Sequence, residues 1–151
     1  MLKTAIPPPI YALSCAAIMW GLDKILPVFE WLSFPYNRLG LFIIVIGLLI
    51  DIWSLGQFFR AKTTPNPLQP ERANKLVVQG MYCFTRNPMY LGMLIWLIGW
   101  GIYLGSLSPL IMLPVFVWVL TVQQIIPEEN VLAEKFGADY LAYKQQVRRW
   151  L

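Results

Sequence analysis

Four apolar stretches dominate the chain, at residues 10–29, 39–59, 89–104 and 109–126. Crossing a bilayer core takes roughly 20 mostly apolar residues in a helix, and the pattern predicts four such spans. The first carries Asp23 and Lys24 near its far end, and the second holds one internal acid, Asp51. Pro114 predicts a kink in the fourth. Spans three and four are separated only by Gly105-Ser106-Leu107-Ser108, which predicts an antiparallel hairpin. Two parts do not span. Residues 60–88 are polar and rich in proline. In the tail, 127–151, Leu132, Phe136, Tyr140, Tyr143, Val147 and Trp150 recur at three- and four-residue steps, the signature of one helix face. Gly137 should break or bend that helix. Its other face carries Glu, Lys, Gln and Arg, so it should lie along the membrane or pack over helix ends. The expected architecture is all-α and integral to the membrane. A single domain, 1–151, would hold four transmembrane helices, a loop segment and an amphipathic C-terminal helix.

Composition agrees. Apolar residues make up 58% of the chain and charged residues 13%, against about 25% charged in ordinary soluble domains. Seven Trp, seven Tyr and twelve Pro suit a chain whose rings sit at bilayer interfaces and whose spans tolerate proline. The absence of histidine removes His bases, His metal ligands and His-ligated haem. Cys15 and Cys83 cannot make a metal site alone, and no metal is expected. They lie in an apolar run and a polar loop, which argues against a disulfide. A net charge of +4, scattered along the chain, gives no case for nucleic acid.

Lysine and arginine placement orients the spans. Arg60, Lys62, Arg72, Lys75 and Arg86 lie between spans two and three, and Lys135, Lys144, Arg148 and Arg149 lie in the tail. The turn around Ser106 has none. Both termini and the 60–88 segment are therefore expected in the cytoplasm, with the chain multi-pass in the cell inner membrane. Lys3 followed by apolar residues resembles a signal peptide. However, Pro7, Pro8 and Pro9 interrupt it and no small-residue cleavage site follows, so the stretch is read as an uncleaved first span.

Candidate chemistry concentrates where the chain approaches span three: Gly80-Met81-Tyr82-Cys83-Phe84-Thr85-Arg86-Asn87-Pro88-Met89-Tyr90-Leu91-Gly92. Pro88 suits a first helical turn and Asn87 an N-cap. A helix N-terminus beside Arg86 would hold a carboxylate; alternatively the cluster is a positive-inside anchor with an interfacial Tyr. A second cluster is Glu128-Glu129 after Pro127. Adjacent residues point about 100° apart on a helix, so only one of the two acids can face a given pocket. The acids either serve a ligand or favour the tail helix's dipole. Asp51 is a third candidate, since an intramembrane acid is either functional or paired. Trp96, Trp100, Tyr103 and Trp118 read as packing and interface residues, and Gly101 with Gly105 as a helix-contact pair.

Taken together, Leu76-Val77-Val78-Gln79-Gly80-Met81-Tyr82, Thr85-Arg86-Asn87-Pro88-Met89-Tyr90-Leu91-Gly92, Glu128-Glu129 and Phe136-Gly137-Ala138-Asp139-Tyr140-Leu141-Ala142-Tyr143 resemble the isoprenylcysteine carboxyl methyltransferase family. Related phospholipid methyltransferases share the plan. The resemblance covers residues 60–151 and implies methyl transfer from S-adenosylmethionine to a lipid-like or prenylated acceptor. It implies a pocket roofed by the loop and tail, with cofactor contacts at Asn74, Lys75, Leu76, Val77, Tyr82, Asn87, Pro88, Met89, Tyr90 and Glu128. Arg86 would support the turn; Arg86 and Glu128 are the candidate catalytic residues in a mechanism of positioning. The acceptor would come from the bilayer, with Gln124 and Glu129 as candidate contacts. Two positions depart from the family pattern. Asn87 stands where Arg-His-Pro is common, and Gln124 replaces an arginine that would lie near a prenylcysteine carboxylate. A neutral amide attracts a carboxylate far less than a guanidinium does, so the acceptor stays open. The other readings are a membrane lipid reductase and a non-catalytic membrane scaffold or transporter component.

Overall fold

The computed structural model describes residues 6–61 and 75–151, and the chain there is helical. Helix α1 spans Pro8–Ile25, α2 Leu39–Arg60 and α3 Pro88–Leu104. A 3₁₀ turn at Ser108–Ile111 leads into α4, Met112–Leu120, which continues through a π turn, Thr121–Ile125, into α5, Ile126–Gln146. Two helical runs, Tyr36–Arg60 and Ser108–Gln146, are long and apolar enough to cross a membrane, and Pro88–Leu104 is a shorter apolar helix.

Two helix ends and one expected kink differ from the sequence pattern. Helix α1 stops at Ile25 instead of continuing to residue 29: Pro27 follows, and Phe29 takes a positive φ of 48°. Its hydrophobic run outlasts its helix because proline disfavours helical geometry in the residue before it. The helix of the fourth apolar run does not end at residue 126 either; the tail helix grows straight out of it. The irregularity expected at Pro114 falls at the π turn. Pro114 occupies the first turn of α4, where its missing N–H disturbs no ladder. Pro127 needs more room, because its ring would strike the carbonyl of Gln123, four residues back. The wider π turn immediately before it supplies that room, with the Ile126 amide reaching the carbonyl of Thr121.

Helices α2 and α3 make the most extensive contact, and glycine lets their backbones meet. A methyl group at Gly99 would sit 2.7 Å from the carbonyl oxygen of Gly40, and one at Gly47 would sit 2.6 Å from the Trp96 nitrogen. This double pair carries the α2/α3 seam. Gly101 serves a different contact, against Leu110 and Met19. One core cluster joins Ala12, Cys15 and Met19 of α1, Tyr90, Met93 and Leu97 of α3, and Phe116 and Leu120 of α4. The Trp100 indole ties α3 to α1 by donating to the carbonyl of Ala16 at 3.0 Å.

At one end of the bundle, the α1–α2 connection meets the α3–α4 turn. Glu30 and Ser106 form an isolated antiparallel bridge, and the Trp31 amide donates to the carbonyl of Gly105. Gly105 closes α3 with φ 87°, a left-handed conformation that glycine adopts without steric penalty. The Ser106 hydroxyl donates to Asp23 at 2.7 Å. Arg60, Arg86 and the α5 cations gather at the other end.

Gly137 bends α5 with φ 52° and ψ −124°, as its position predicts. Tyr140 and Tyr143 are buried and Leu132, Phe136, Val147 and Trp150 half-buried, while Glu134, Lys135, Asp139 and Lys144 are exposed. The expected apolar face is therefore turned inward. The helix ends at Gln146, so Val147 and Trp150 join that face from an extended backbone.

Candidate functional site

Three segments converge near the start of α3. The first is the turn 79–87, folded around a 3₁₀ turn at Gly80–Cys83. Gly80 takes φ 63°, which lets the chain reverse so that the buried Tyr82 packs edge-on against Phe58 of α2, ring centroids 5.4 Å apart. The second is the first turn of α3, with Pro88 at its head. The third is the start of α5, where Glu128 and Glu129 follow directly on Pro127.

The two acids diverge as helix geometry requires. Glu128 turns towards α3 and accepts a 2.6 Å hydrogen bond from the Tyr90 hydroxyl, 38 positions away. Glu129 turns towards the loop and tail. It is 6% exposed and meets three cations: Arg86 at 3.1 Å, Lys144 at 3.6 Å and Arg149, which forks onto it with two bonds of 2.9 Å. Their protonation separates accordingly. Glu128 lies past the apolar run of its helix. Burial pushes its carboxyl up to about 8, with the charge of Glu129 adding to the shift and the Tyr90 hydrogen bond opposing it. Burial also pushes Glu129 up, but the Arg149 hydrogen bonds and the charges of Arg86, Arg149 and Lys144 outweigh it and hold the carboxyl below its ordinary value. The Tyr82 hydroxyl is pushed well above its ordinary value by burial, then by Tyr143 and Glu128, so it is a neutral donor at any physiological pH.

Several residues sit differently from their sequence-based roles. Asn87 occupies the N-cap position but makes no side-chain cap. Its amide instead donates to the carbonyl of Arg149 at 2.9 Å, which the Thr85 hydroxyl also reaches at 3.1 Å. That bond orients the side chain towards the tail, and its oxygen, the atom that would accept from the first turn of α3, makes no cap. Arg86 is not held ready for a carboxylate by the helix end alone. Its Nη2 pairs with Glu129, while Nε and Nη1 are buried with no acceptor among the described residues. Gln124 is fully buried inside the π turn and donates from Nε2 to the carbonyl of Ile6 at 2.7 Å, leaving Oε1 unpartnered. Leu76, Val77 and Met89 are half-buried, Lys75 is exposed, and Asn74 lies outside the described residues. Asp51 faces Gly92 across the α2/α3 seam, one oxygen buried without a partner, on the far side of α3 from the Tyr90 hydroxyl.

Sequence reasoning missed Thr85, Tyr143 and the backbone of residues 148–149. The Tyr143 hydroxyl donates to the carbonyl of Tyr82 at 2.7 Å, and the Arg86 amide donates to the carbonyl of Arg148 at 3.0 Å. Main-chain acceptors leave no residue-type signal. Tyr143 was visible as part of the tail's apolar face, but not as a donor. Among the described residues no group of His, Cys, Asp and Glu could hold a metal ion.

The arrangement offers a carboxylate acceptor, two unpaired guanidinium donors, and the phenols of Tyr82 and Tyr90. That set suits a ligand carrying ammonium or hydroxyl donors, a carboxylate and an aromatic ring.

Comparison with known proteins gives this set a context. The phospholipid methyltransferase family model matches residues 36–139. Protein-S-isoprenylcysteine O-methyltransferase A of Arabidopsis thaliana is 32% identical over 139 residues, covering 85% of this chain and 71% of that protein. Protein-S-isoprenylcysteine O-methyltransferase B of the same plant is 32% identical over 117 residues, covering 78% of this chain and 57% of its relative. The Saccharomyces cerevisiae protein-S-isoprenylcysteine O-methyltransferase is 30% identical over 123 residues, covering 76% of this chain and 51% of that protein. The chain thus spans little more than half the length of several relatives. A match that runs from the start of α2 past the glutamate pair to the bend in α5 takes in the α2/α3 seam and the whole convergence around Tyr90 and Glu128, and by it the chain belongs to the phospholipid methyltransferase family.

Proposed function

We propose that the protein is a membrane methyltransferase that uses S-adenosylmethionine to methylate a lipid-like or prenylated acceptor at the cytoplasmic membrane face. The observation that carries this reading is the hydrogen bond between Tyr90 and Glu128. It joins the start of α3 to the start of α5 inside the matched region, and around it lie groups complementary to the cofactor. When bound, the cofactor supplies a methyl group on a sulfonium, already joined to a good leaving group.

The chain's own part is then to bind, align and keep dry. Glu128 would accept hydrogen bonds from the cofactor's ammonium or ribose hydroxyls. The free Nε and Nη1 of Arg86 would hold its carboxylate, and the Tyr82 and Tyr90 rings would line the pocket with the 75–77 stretch and the turn 87–90. A carboxylate or phosphate acceptor needs no general base, so the lack of histidine is no obstacle. Of the two residues assigned to the acceptor, Gln124 keeps one free group, its buried Oε1, whereas Glu129 is taken up by cations. We therefore retain Gln124 at the acceptor end and place Glu129 in the support of the site.

The same reading makes the chain one domain with four spans, 60–88 and both termini lying in the cytoplasm of a cell with an inner membrane. It is supported by the joining of α1–α2 and α3–α4 at one end, opposite Arg60, Arg86 and the α5 cations. Calorimetry of the detergent-purified protein with S-adenosylmethionine and S-adenosylhomocysteine tests the function, followed by labelled-methyl transfer to carboxylate, phosphate and amine lipids. Saturable binding with transfer to one class is expected; absence of binding would overturn the reading.

A further inference from the structure

After α5 the backbone turns extended at Val147, φ −120° and ψ 133°, and the segment 147–150 crosses the site. The carbonyl of Arg149 accepts from Thr85 and Asn87, in the turn that presents Tyr90. Its guanidinium forks onto Glu129, next to Glu128. The Trp150 indole donates to the Thr121 hydroxyl at 3.1 Å, at the first residue of the π turn that sets the rotation of α5. One short segment therefore grips both sides of the proposed pocket.

The grip matters because admitting a ligand to Glu128 must open or reshape its bond to Tyr90, a direct tie between α3 and α5. With that tie relaxed, Arg149 still couples the Asn87 turn to the helix bearing Glu128.

We propose that Arg149 is a positioning residue of the cofactor site, a clasp that fixes the Asn87 turn through its carbonyl and the place and charge of Glu128 through Glu129. The inference rests on the reading of Glu128 as the carboxylate that receives the cofactor. Its electrostatic part follows from neighbours already placed. Glu128 faces Tyr90 of α3, Tyr82 of the turn and Glu129 of its own helix. Glu129 faces Arg86, Lys144, Arg149 and Tyr140. The negative charge of Glu129 opposes ionisation of Glu128, and Arg149 offsets that charge. Removing Arg149 should make Glu128 harder to ionise; removing Glu129 should make it easier.

The experiment measures S-adenosylhomocysteine binding to the full chain in detergent from pH 6 to 8.5. It compares wild type with Arg149→Gln, Arg149→Lys and Glu129→Gln, each checked by thermal melting. Wild-type affinity is expected to rise with pH. Arg149→Gln should weaken binding about three- to tenfold, the range for a partly exposed charged contact, and move the rise to higher pH. Arg149→Lys should recover part of both effects, and Glu129→Gln should move the rise to lower pH. Glu129→Gln strands Arg86, which is buried, and can fail to fold; the two Arg149 variants then decide alone. An unmoved pH profile in folded Arg149→Gln, or weakening by the same factor at every pH, overturns the inference and leaves the function standing. Absence of wild-type binding overturns both.

Discussion

Glu128→Gln separates the charge of this residue from its shape. Glutamine keeps the size and the carbonyl that accepts from Tyr90, whose oxygen lies 2.6 Å from the carboxylate, but it cannot ionise. In the unliganded protein the carboxyl is pushed up to about 8, so at pH 7 the protonated form predominates. The sign of the linkage follows. The folded value lies above the ordinary 4.5, so the stability contributed by the protonated form is present at low pH and lost as pH rises through about 8. A cofactor that donates to the carboxylate draws the group the other way, and its affinity should climb across the same window. A charged hydrogen bond in a partly dry site contributes about 1.5–3 kcal/mol, roughly ten- to hundredfold in affinity. Glu128→Gln should therefore match wild type near pH 6 and fall behind by about that factor at pH 8.5. Its melting temperature should also lose the decline that the carboxyl imposes between about pH 4.5 and 8. Tyr90→Phe removes the hydrogen bond that favours the ionised form and should shift the wild-type rise to higher pH. Calorimetry with S-adenosylhomocysteine and melting curves from pH 5 to 8.5 read all of this. Equal affinity of wild type and Glu128→Gln at pH 8.5 would refute the assignment.

Leu107→Cys, at an exposed position of the α3–α4 turn, should label from outside intact cells with an impermeant maleimide; labelling only after permeabilisation would reverse the proposed orientation. Gly99→Leu places a side chain where even a methyl meets the Gly40 carbonyl, so it should part α2 from α3 and lower the melting temperature sharply, the mark of a few kcal/mol of overpacking, whereas Gly21→Leu, with open space around its α-carbon, should not. Gln124→Arg replaces the free Oε1 acceptor with a group that only donates. It should keep cofactor affinity while shifting methyl transfer towards carboxylate lipids, and an unchanged acceptor profile would make Gln124 a packing residue.

What was legible in the sequence was whatever depends on residue type at a spacing. The apolar runs located the helices, the tail's three-and-four rhythm gave the inward face of α5, and glycine at 137 marked its bend. The helix angle between neighbours foretold that Glu128 and Glu129 would part. Boundaries set by competition between backbone partners were not legible. Asn87 reads as a cap from its identity, but the carbonyl of Arg149 claims its amide, and that carbonyl has no residue signature. The π turn was hidden for a similar reason. Pro127 announces a disturbance in the ladder, yet whether the chain breaks there or widens one turn earlier is decided by what grips that turn, here the Ile6 carbonyl at Gln124 and the Trp150 indole at Thr121. The Gly40/Gly99 and Gly47/Trp96 contacts were passed over in favour of Gly101 and Gly105 because which glycines meet depends on the register between two helices, which neither helix shows alone.

The contrast between the two glutamates carries the functional argument furthest. They are adjacent, identical in chemistry and on one helix, yet their surroundings push their carboxyls in opposite directions. Glu129 has its charge answered from the loop, from α5 and from the closing segment, and removing any one cation leaves the others. Among the described residues Glu128 has a single neutral donor, Tyr90, and the nearby carboxylate of Glu129 opposes its ionisation. A carboxylate kept partly dry with no cation beside it among the described residues contributes little to an unliganded fold and costs stability when ionised. Its arrangement makes energetic sense if a cationic or hydroxyl-bearing ligand completes it. In this chain the fold answers one acid with three cations of its own, and on the proposed reading the other is answered by what binds.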